Sequence, residues 1–376
     1  MNIAIVNCFD TYEHRVELLY DYFKENGNNV RVYTSDFRHI EKTHRTESRK
    51  DFIMIHSLGY KKNISTQRLI SHYKTAKDLF SSLEFKKIDL LWVLVPPNSF
   101  VKEAARFKMR HNNVKLIFDI IDMWPEAMPL NKFEKIPFVT KWRNLRNDYI
   151  SYADHVVTEC NLFQEKLEEV VDPQKMTTIL LARKADAVKW QPNPPEDKIV
   201  LCYLGSINNI IDIPTIADII KRCRKVKPVI LHIIGDGEKC QELISSVKLS
   251  GADVVYHGKV YDSGKKQKIF DSCHYGLNIM KSSVFVGLTM KSLDYFEAGL
   301  PIINNIHGDT WDIIDNYGIG LNWEADINTS LFSDYDFSMR ERTKKYFAEN
   351  MTYSTFVKNL SDVVLKIQQK TEGKVT

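Results

Sequence analysis

No stretch of the sequence approaches the ~20 consecutive apolar residues that a membrane-spanning helix needs. The opening MNIAIVNCF has no basic region ahead of its apolar run, and that run breaks at Asn7, so it reads as a strand and not as a secretory leader. Cysteine is sparse, and Cys8, Cys160, Cys202, Cys223, Cys240 and Cys273 each stand alone. Without a short paired spacing, neither a metal motif nor a redox couple is expected. Cys202, inside IVLCYLG, reads as a small hydrophobe in a strand. A large excess of one charge is missing too, and a net +4 does not by itself indicate nucleic acid. Low-complexity segments and obvious internal repeats are absent. A composition 44% hydrophobic and 27% charged is that of an ordinary globular protein, and a reducing cytoplasm is its simplest home.

A chain of 376 residues is too long for one ordinary core and suits two domains of roughly 150–200 residues. In the first half NIAIVN (2–7), NVRVYT (29–34), FIMIHS (52–57), DLLWVLV (89–95), VKLIFDII (114–121) and HVVTE (155–159) read as strands. They are almost continuously apolar, as parallel strands buried on both faces are. Amphipathic segments lie between most of them, such as VELLYDYFKENG, which ends on Gly27 as a C-cap would. Strand–helix alternation of this kind implies a doubly wound sheet. The pattern blurs over 181–197, where prolines and mixed charges mark a linker. It restarts with IVLCYLG (199–205), PVILHIIGDG (228–237), VVYHG (254–258), YGLNIM (275–280) and PIINN (301–305). The expected organisation is an α/β chain of two Rossmann-like domains facing across a cleft. The first spans 1–185 together with a C-terminal helix at about 353–370, and the second spans 198–350. From Ser338 to about Gln369 the chain reads as helical with a break near Met351–Thr352, and Ser338 with Glu341 fits a capping box.

Three strand ends of the second half run into glycine-bearing turns: YLGSIN (203–208), IIGDGEKC (233–240) and YHGKVYD (256–262). Ligands of open parallel sheets bind outside the carboxyl ends of the strands, where glycine lets a ligand approach the backbone. Tight strand–helix packing would explain any one such turn; three in succession favour a nucleotide. In VFVGLTMKSLDYFEAGLPIINN (284–305) a helix should start at Leu288–Thr289 and stop at Gly299, before Pro301. Its free N–H groups form a natural diphosphate site. Lys291 lies in the first turn, where the helix dipole disfavours a cation unless a phosphate is bound. Asp294, three residues on, is placed to accept hydrogen bonds from ribose hydroxyls. The plainer alternative is a Lys291–Asp294 surface pair.

This segment resembles the donor-binding signature of retaining GT-B glycosyltransferases of the family 4 type. The resemblance spans nearly the whole chain and is specific to fold and donor class, not to the sugar. It implies that Gly287, Leu288, Thr289 and Met290 form the diphosphate turn, that Asp294 holds the ribose, and that Gly299–Leu300–Pro301 closes the motif. IIGDGEKC is similar to the family's Gly-Asp-Gly turn, which brings in Gly235 and Asp236. Lys259 and Val260 lie where members contact the base. DIIDMWPEAMP (119–129) resembles the Asp-x-Trp-Pro-Glu stretch of bacterial polysaccharide transferases, and YADHVVTE (152–159) the last strand before the linker. Three departures stand out. The first of the signature's two glutamates falls on Val286. The Arg and Lys that usually follow the first strand of the second domain are replaced within GSINNIID (205–212), leaving Gly205, Ser206 and Asn208 at the donor, with Arg183 and Lys184 as substitute cations. The loop NCFDTYEHR (7–15) lacks the usual glycine pair, so its polar side chains are free to meet an acceptor.

Asp122, at a strand's carboxyl end before Trp124–Pro125–Glu126, is the candidate to orient or deprotonate an acceptor hydroxyl; a turn aspartate bonded to its own backbone is the alternative. Glu13 and His14 are further candidates. Asp334–Tyr335–Asp336 precedes a helix and reads as capping, so no metal is expected. A basic stretch from Lys61 and Lys62 through Arg68, Lys74, Lys77, Lys86, Lys87, Lys102, Arg106 and Lys108 to Arg110 suits either a solvated face or peripheral contact with the inner face of a membrane and a lipid-linked diphosphate. The expected protein is a glycosyltransferase, metal-independent and without a cofactor. It would move a sugar from a nucleotide-sugar donor, a UDP-sugar, to a glycan or lipid-linked acceptor in surface polysaccharide synthesis, with retention by resemblance. A nucleotide-sugar epimerase of the same fold and a non-catalytic partner subunit stay open. Donor turnover with and without acceptor separates the three.

Overall fold

The computed structural model describes residues 1–372 apart from 48, 64, 129–135, 185–187 and 325–331. The chain divides into two compact units, Met1–Leu180 with Phe356–Thr376, and Leu181–Thr355.

The first unit is built on β1 (Asn2–Val6), β2 (Asn29–Ser35), β3 (Phe52–Ile55), β4 (Leu90–Val95), β5 (Lys115–Ile120), β6 (His155–Thr158) and β7 (Met176–Thr178). They form one sheet in the order β3-β2-β1-β4-β5-β6-β7, with parallel pairing throughout. The helices are α1 (Glu13–Glu25), α2 (Thr66–Leu83), α3 (Asn98–Arg110), α4 (Pro137–Asn147) and α5 (Asn161–Leu167). Every residue of β4, LLWVLV, is buried, because helices cover both faces of a parallel sheet. Each such large apolar side chain contributes about 1.5–3 kcal/mol by leaving water.

The second unit repeats the plan. Its strands β8 (Ile199–Leu204), β9 (Val229–Ile234), β10 (Asp253–Gly258), β11 (Tyr275–Asn278), β12 (Ile302–Asn304) and β13 (Gly320–Asn322) run in the order β10-β9-β8-β11-β12-β13, again in parallel. Around them lie α6 (Ile213–Arg224), α7 (Cys240–Leu249), α8 (Ser263–Asp271), α9 (Met290–Glu297), α10 (Asp309–Tyr317) and α11 (Ser338–Asn350). The last helix, α12 (Tyr353–Glu372), belongs to the first unit from Phe356 onward, where the Phe356 ring lies 5.4 Å from the Arg15 guanidinium. Strand order reverses between β1 and β4 and between β8 and β11, so each unit has one switch point, the place where open sheets bind ligands.

Local details differ from the sequence reading. Helix α1 already starts at Glu13, which shortens the loop expected over 7–15. The capping box does not form: Ser338 is the first helical residue and Phe337 the N-cap. Asp336 takes over that role, with Oδ1 accepting from the Ser338 N–H at 2.9 Å and Oδ2 from Arg342 at 2.8 Å. Among the described residues no helix is long and apolar enough to cross a membrane.

Candidate functional site

At the carboxyl end of the second sheet the three glycine turns are laced together by their backbones. The Gly205 N–H donates to Ile234 C=O, Ile207 N–H to Asp236 C=O and Gly235 N–H to Gly258 C=O, at 2.8–3.0 Å. A Cβ on Gly235 would stand 1.9 Å from the Gly205 oxygen, and one on Gly237 2.3 Å from the Ile207 oxygen. Close turn-to-turn packing therefore requires these glycines, whatever else the surface holds. Side chains here serve their own turns. Asp236 accepts from the Gly237 N–H at 2.7 Å, Asn208 accepts from the Ile210 N–H at 3.1 Å, and Asn209 donates to Glu238. Ser206 and Lys259 are exposed and Val260 is half-buried.

Helix α9 starts beside this surface. Thr289 is its N-cap, with Oγ1 accepting from the Ser292 N–H at 3.2 Å, which leaves the first-turn N–H groups of Met290 and Lys291 outside the cap. Thr289 also donates to Asn278 Oδ1 at 3.1 Å. Beneath it lies a feature the sequence reading missed. Asn278, Asn304 and Asn322 are register neighbours on β11, β12 and β13, joined side chain to side chain at 2.9 and 3.0 Å. A residue of the same type at the end of three successive strands was the available signal. Gly287 is buried, and its carbonyl accepts from both N–H and hydroxyl of Thr310; Leu288 is buried too.

Lys291 and Asp294 do not pair with each other. The Lys291 ammonium lies 4.8 Å from the centre of the Tyr203 ring, on the last strand before the first glycine turn. Burial alone brings its pKa down to about 8. Asp294 Oδ1 instead accepts from Arg183 at 3.0 Å and Lys266 at 2.7 Å, and Arg183 also reaches Glu297 at 2.7 Å. Arg183 is held by its backbone between Met351 and Tyr353, and Lys184 lies over the Tyr353 ring at 4.7 Å. Arg183, Lys266, Asp294, Glu297 and Lys344 line a cavity of about 40 Å³, room for roughly one to three water molecules. Both cations meet Asp294 at Oδ1, so a ribose hydroxyl at that oxygen would compete with them.

In the first unit Arg15 and Asp119 form a buried bidentate ion pair at 2.9–3.1 Å, and Asp119 also accepts from the Trp92 indole N–H at 3.0 Å. Asp122 bonds within its own turn, as the alternative reading has it. Oδ1 accepts from the Met123 N–H at 2.8 Å and Oδ2 from the Trp124 indole N–H at 2.7 Å. Its carboxylate is turned into its own loop because two good donors stand within two residues. Burial nonetheless raises its pKa to about 6. Glu13 pairs with Arg45, and His14 is half-buried in the first turn of α1. Glu159, which follows β6, was not singled out. It is 8% exposed with Oε2 unpartnered among the described residues. Burial, reinforced by Asp119 and Asp122 and opposed by Arg15, raises its pKa to about 8.

The expected basic face is reduced in two ways. Arg68 leaves it altogether, lying buried with its guanidinium 4.3 Å from the centre of the Trp124 ring. Arg106, Lys108 and Arg110 pair with Glu103, Asp154 and Glu84. Next to Arg68, α2 and α4 enclose two largely apolar cavities of about 310 and 260 Å³ that share Leu69, Phe138 and Trp142. Lys102, Lys141 and His72 line the larger. Both ring nitrogens of His72 are buried without a partner among the described residues, and burial holds its pKa well below the usual range.

No protein-family model matches the sequence, and no curated protein matches it in sequence. Solved structures match along almost the whole chain. The lipopolysaccharide outer core galactosyltransferase WaaB is similar with a TM-score of 0.69 at 13% identity, covering 97% of this chain and 99% of its own. Sucrose-phosphate synthase from Thermosynechococcus elongatus gives 0.69 at 11% identity, over 98% and 100% of the two chains. Anabaena HepE in complex with UDP and glucose gives 0.67 at 10% identity, over 97% and 100%. The chain has the GT-B fold of these glycosyltransferases.

Proposed function

We propose that the chain is a glycosyltransferase that moves a sugar from a UDP-sugar to a lipid-linked or glycan acceptor in bacterial surface polysaccharide synthesis. Retention of configuration, independence from metal and organic cofactor, and work in the cytoplasm, at the inner face of the membrane, belong to the same reading. The observation that carries it is Lys291. It is a half-buried cation in the first turn of α9 with no carboxylate partner among the described residues, at the switch point of a doubly wound sheet. A diphosphate there would receive the first-turn N–H groups and the lysine together. As the bond between the anomeric carbon and the diphosphate oxygen breaks, negative charge grows on that oxygen, and fixed donors stabilise it. Asp294 would take the ribose once Arg183 and Lys266 swing onto phosphate. With Asp122 and Glu13 bonded within the protein, the departing diphosphate oxygen would take up the proton that the acceptor hydroxyl loses.

The cavities between α2 and α4 favour an acceptor with an apolar tail, because they join an apolar wall to Lys102 and Lys141. Incubation with UDP-sugars, with and without a polyprenyl-diphosphate-linked sugar, tests the proposal. Acceptor-dependent release of UDP supports it; an isomerised nucleotide sugar would make the chain an epimerase, and no turnover a partner subunit.

A further inference from the structure

Three side chains unused by the donor and acceptor readings meet at the carboxyl edge of the first sheet. β2 and β3 pair with Ser35 opposite Ile55, so the next residues, Asp36 and His56, lie side by side. After Asp36 the chain folds back, bridged antiparallel between Phe37 and His44. Arg38 N–H donates to Thr43 C=O and Arg45 N–H to Asp36 C=O, both at 2.8 Å. That fold-back returns His44 to the same edge. His56 Nδ1 lies 2.8 Å from Asp36 Oδ2 and His44 Nε2 3.9 Å from Asp36 Oδ1. The imidazoles are stacked, 5.1 Å between centres and 26° between planes. One ligand atom from each of the three residues lies within 4.8 Å of the others.

We propose that Asp36, His44 and His56 form a binding site for one divalent first-row transition-metal ion of the zinc class. Two imidazole nitrogens and one carboxylate oxygen are the donor set such ions take, leaving a position for water. Magnesium and calcium, which prefer oxygen throughout, are disfavoured. Tetrahedral bonds of about 2.0–2.2 Å set ligand atoms roughly 3.3–3.6 Å apart, so His44 must draw in from 3.9 Å and His56 back off from 2.8 Å, which the exposed histidines can do by side-chain rotation. The carboxylate is held in place: Asp36 Oδ1 accepts from the Ser57 N–H at 2.9 Å, the kind of supporting bond that fixes metal ligands. His44 Nε2 faces the Ser57 carbonyl at 2.8 Å, and the ion would replace that contact. No thiol competes, since all six cysteines are buried. The spacing 36, 44, 56 matches no linear motif, which is why the sequence led to an expectation of no metal. The site is independent of the sugar-transfer reading and stands if that reading falls.

The test is calorimetric titration of the full chain, stripped with chelator, with zinc chloride, alongside the visible spectrum with cobalt chloride. One tight equivalent is expected in the wild type. It should be lost in the double variant His44→Ala/His56→Ala and weakened at least about tenfold in Asp36→Asn, with the cobalt ligand-field bands disappearing in step. Both histidines are exposed at 40% and 73%, so the metal-free double variant should unfold at the wild-type temperature. Equal stoichiometry and affinity in wild type and double variant, or no zinc binding by the wild type, overturns the assignment.

Discussion

A lysine in the first turn of a helix works against the helix dipole, and Lys291 also gives up part of its hydration. Its pKa of about 8 against an ordinary 10.5 means that the folded chain releases this proton before the unfolded chain does. Stability should therefore rise with pH between about 8 and 10.5. Lys291→Met should lack that rise and be at least as stable at neutral pH, while binding UDP roughly 10- to 100-fold more weakly. Melting curves across pH and a UDP titration check both; unchanged UDP affinity would remove Lys291 from the donor site. Glu159 gives the opposite slope. Its folded pKa of about 8 lies above the usual 4.5, so the folded state keeps a proton that the unfolded state loses. Stability should fall as pH rises from about 4.5 to 8, by a few kcal/mol at most. Glu159→Gln, neutral throughout, should flatten that fall in the melting profile. Neither group's charge state was legible in the sequence, because burial of a single side chain depends on neighbours far along the chain. Asp122 makes the same point: its strand-end position was readable, but its bonding to the Trp124 indole depends on a rotamer.

Among the elements, strands with an apolar run were readable, down to the three residues of β12, and β7 and β13 were not. LLWVLV and IVLCYL become β4 and β8 with every residue buried. β7 and β13, three residues each with mixed or partial burial, carry no periodicity to detect, and only the neighbouring strand defines them. Helix α9 was readable because its signals are local, a Thr cap and a terminal glycine, Gly299, at φ +64°. At α11 a local rule misled, since Asp336 two residues upstream supplies the cap that Ser338 was expected to give. The glycine turns were readable as turns, while the contacts between them were not. Gly235→Ala tests those contacts: with φ at +140° and a Cβ 1.9 Å from the Gly205 oxygen, the β8 and β9 turns must separate. We expect a loss of about 1–3 kcal/mol in denaturant unfolding together with weaker UDP binding. A stable variant with weakened UDP binding alone would instead mean that the ligand, and not the packing, requires this glycine.

For the whole molecule, two doubly wound units were legible because strand–helix alternation repeats across the chain with a proline-rich interruption. Their separate chemistry was legible only in part. The glycine turns, the asparagine ladder, the start of α9 and the Arg183–Asp294–Lys266 cluster all belong to Leu181–Thr355. The aromatic setting of Arg68, the Asp36–His44–His56 cluster and the cavities beside α4 belong to the other unit. If the donor is held by the second unit, UDP added to the full chain should slow amide exchange there and not uniformly. Protection is expected at residues 205–210, 235–240 and 258–262 and over 287–294, where backbone N–H groups meet phosphate or the turns stop opening. A ligand at 100 times its Kd stabilises the state it binds by about 2.7 kcal/mol, enough to slow exchange up to roughly 100-fold at amides that open only through release of the ligand. Amides of β1, β4 and β5 should exchange at their unliganded rates. Protection confined to residues 1–180 would move the nucleotide to the first unit and leave Lys291 as a half-buried cation without a ligand.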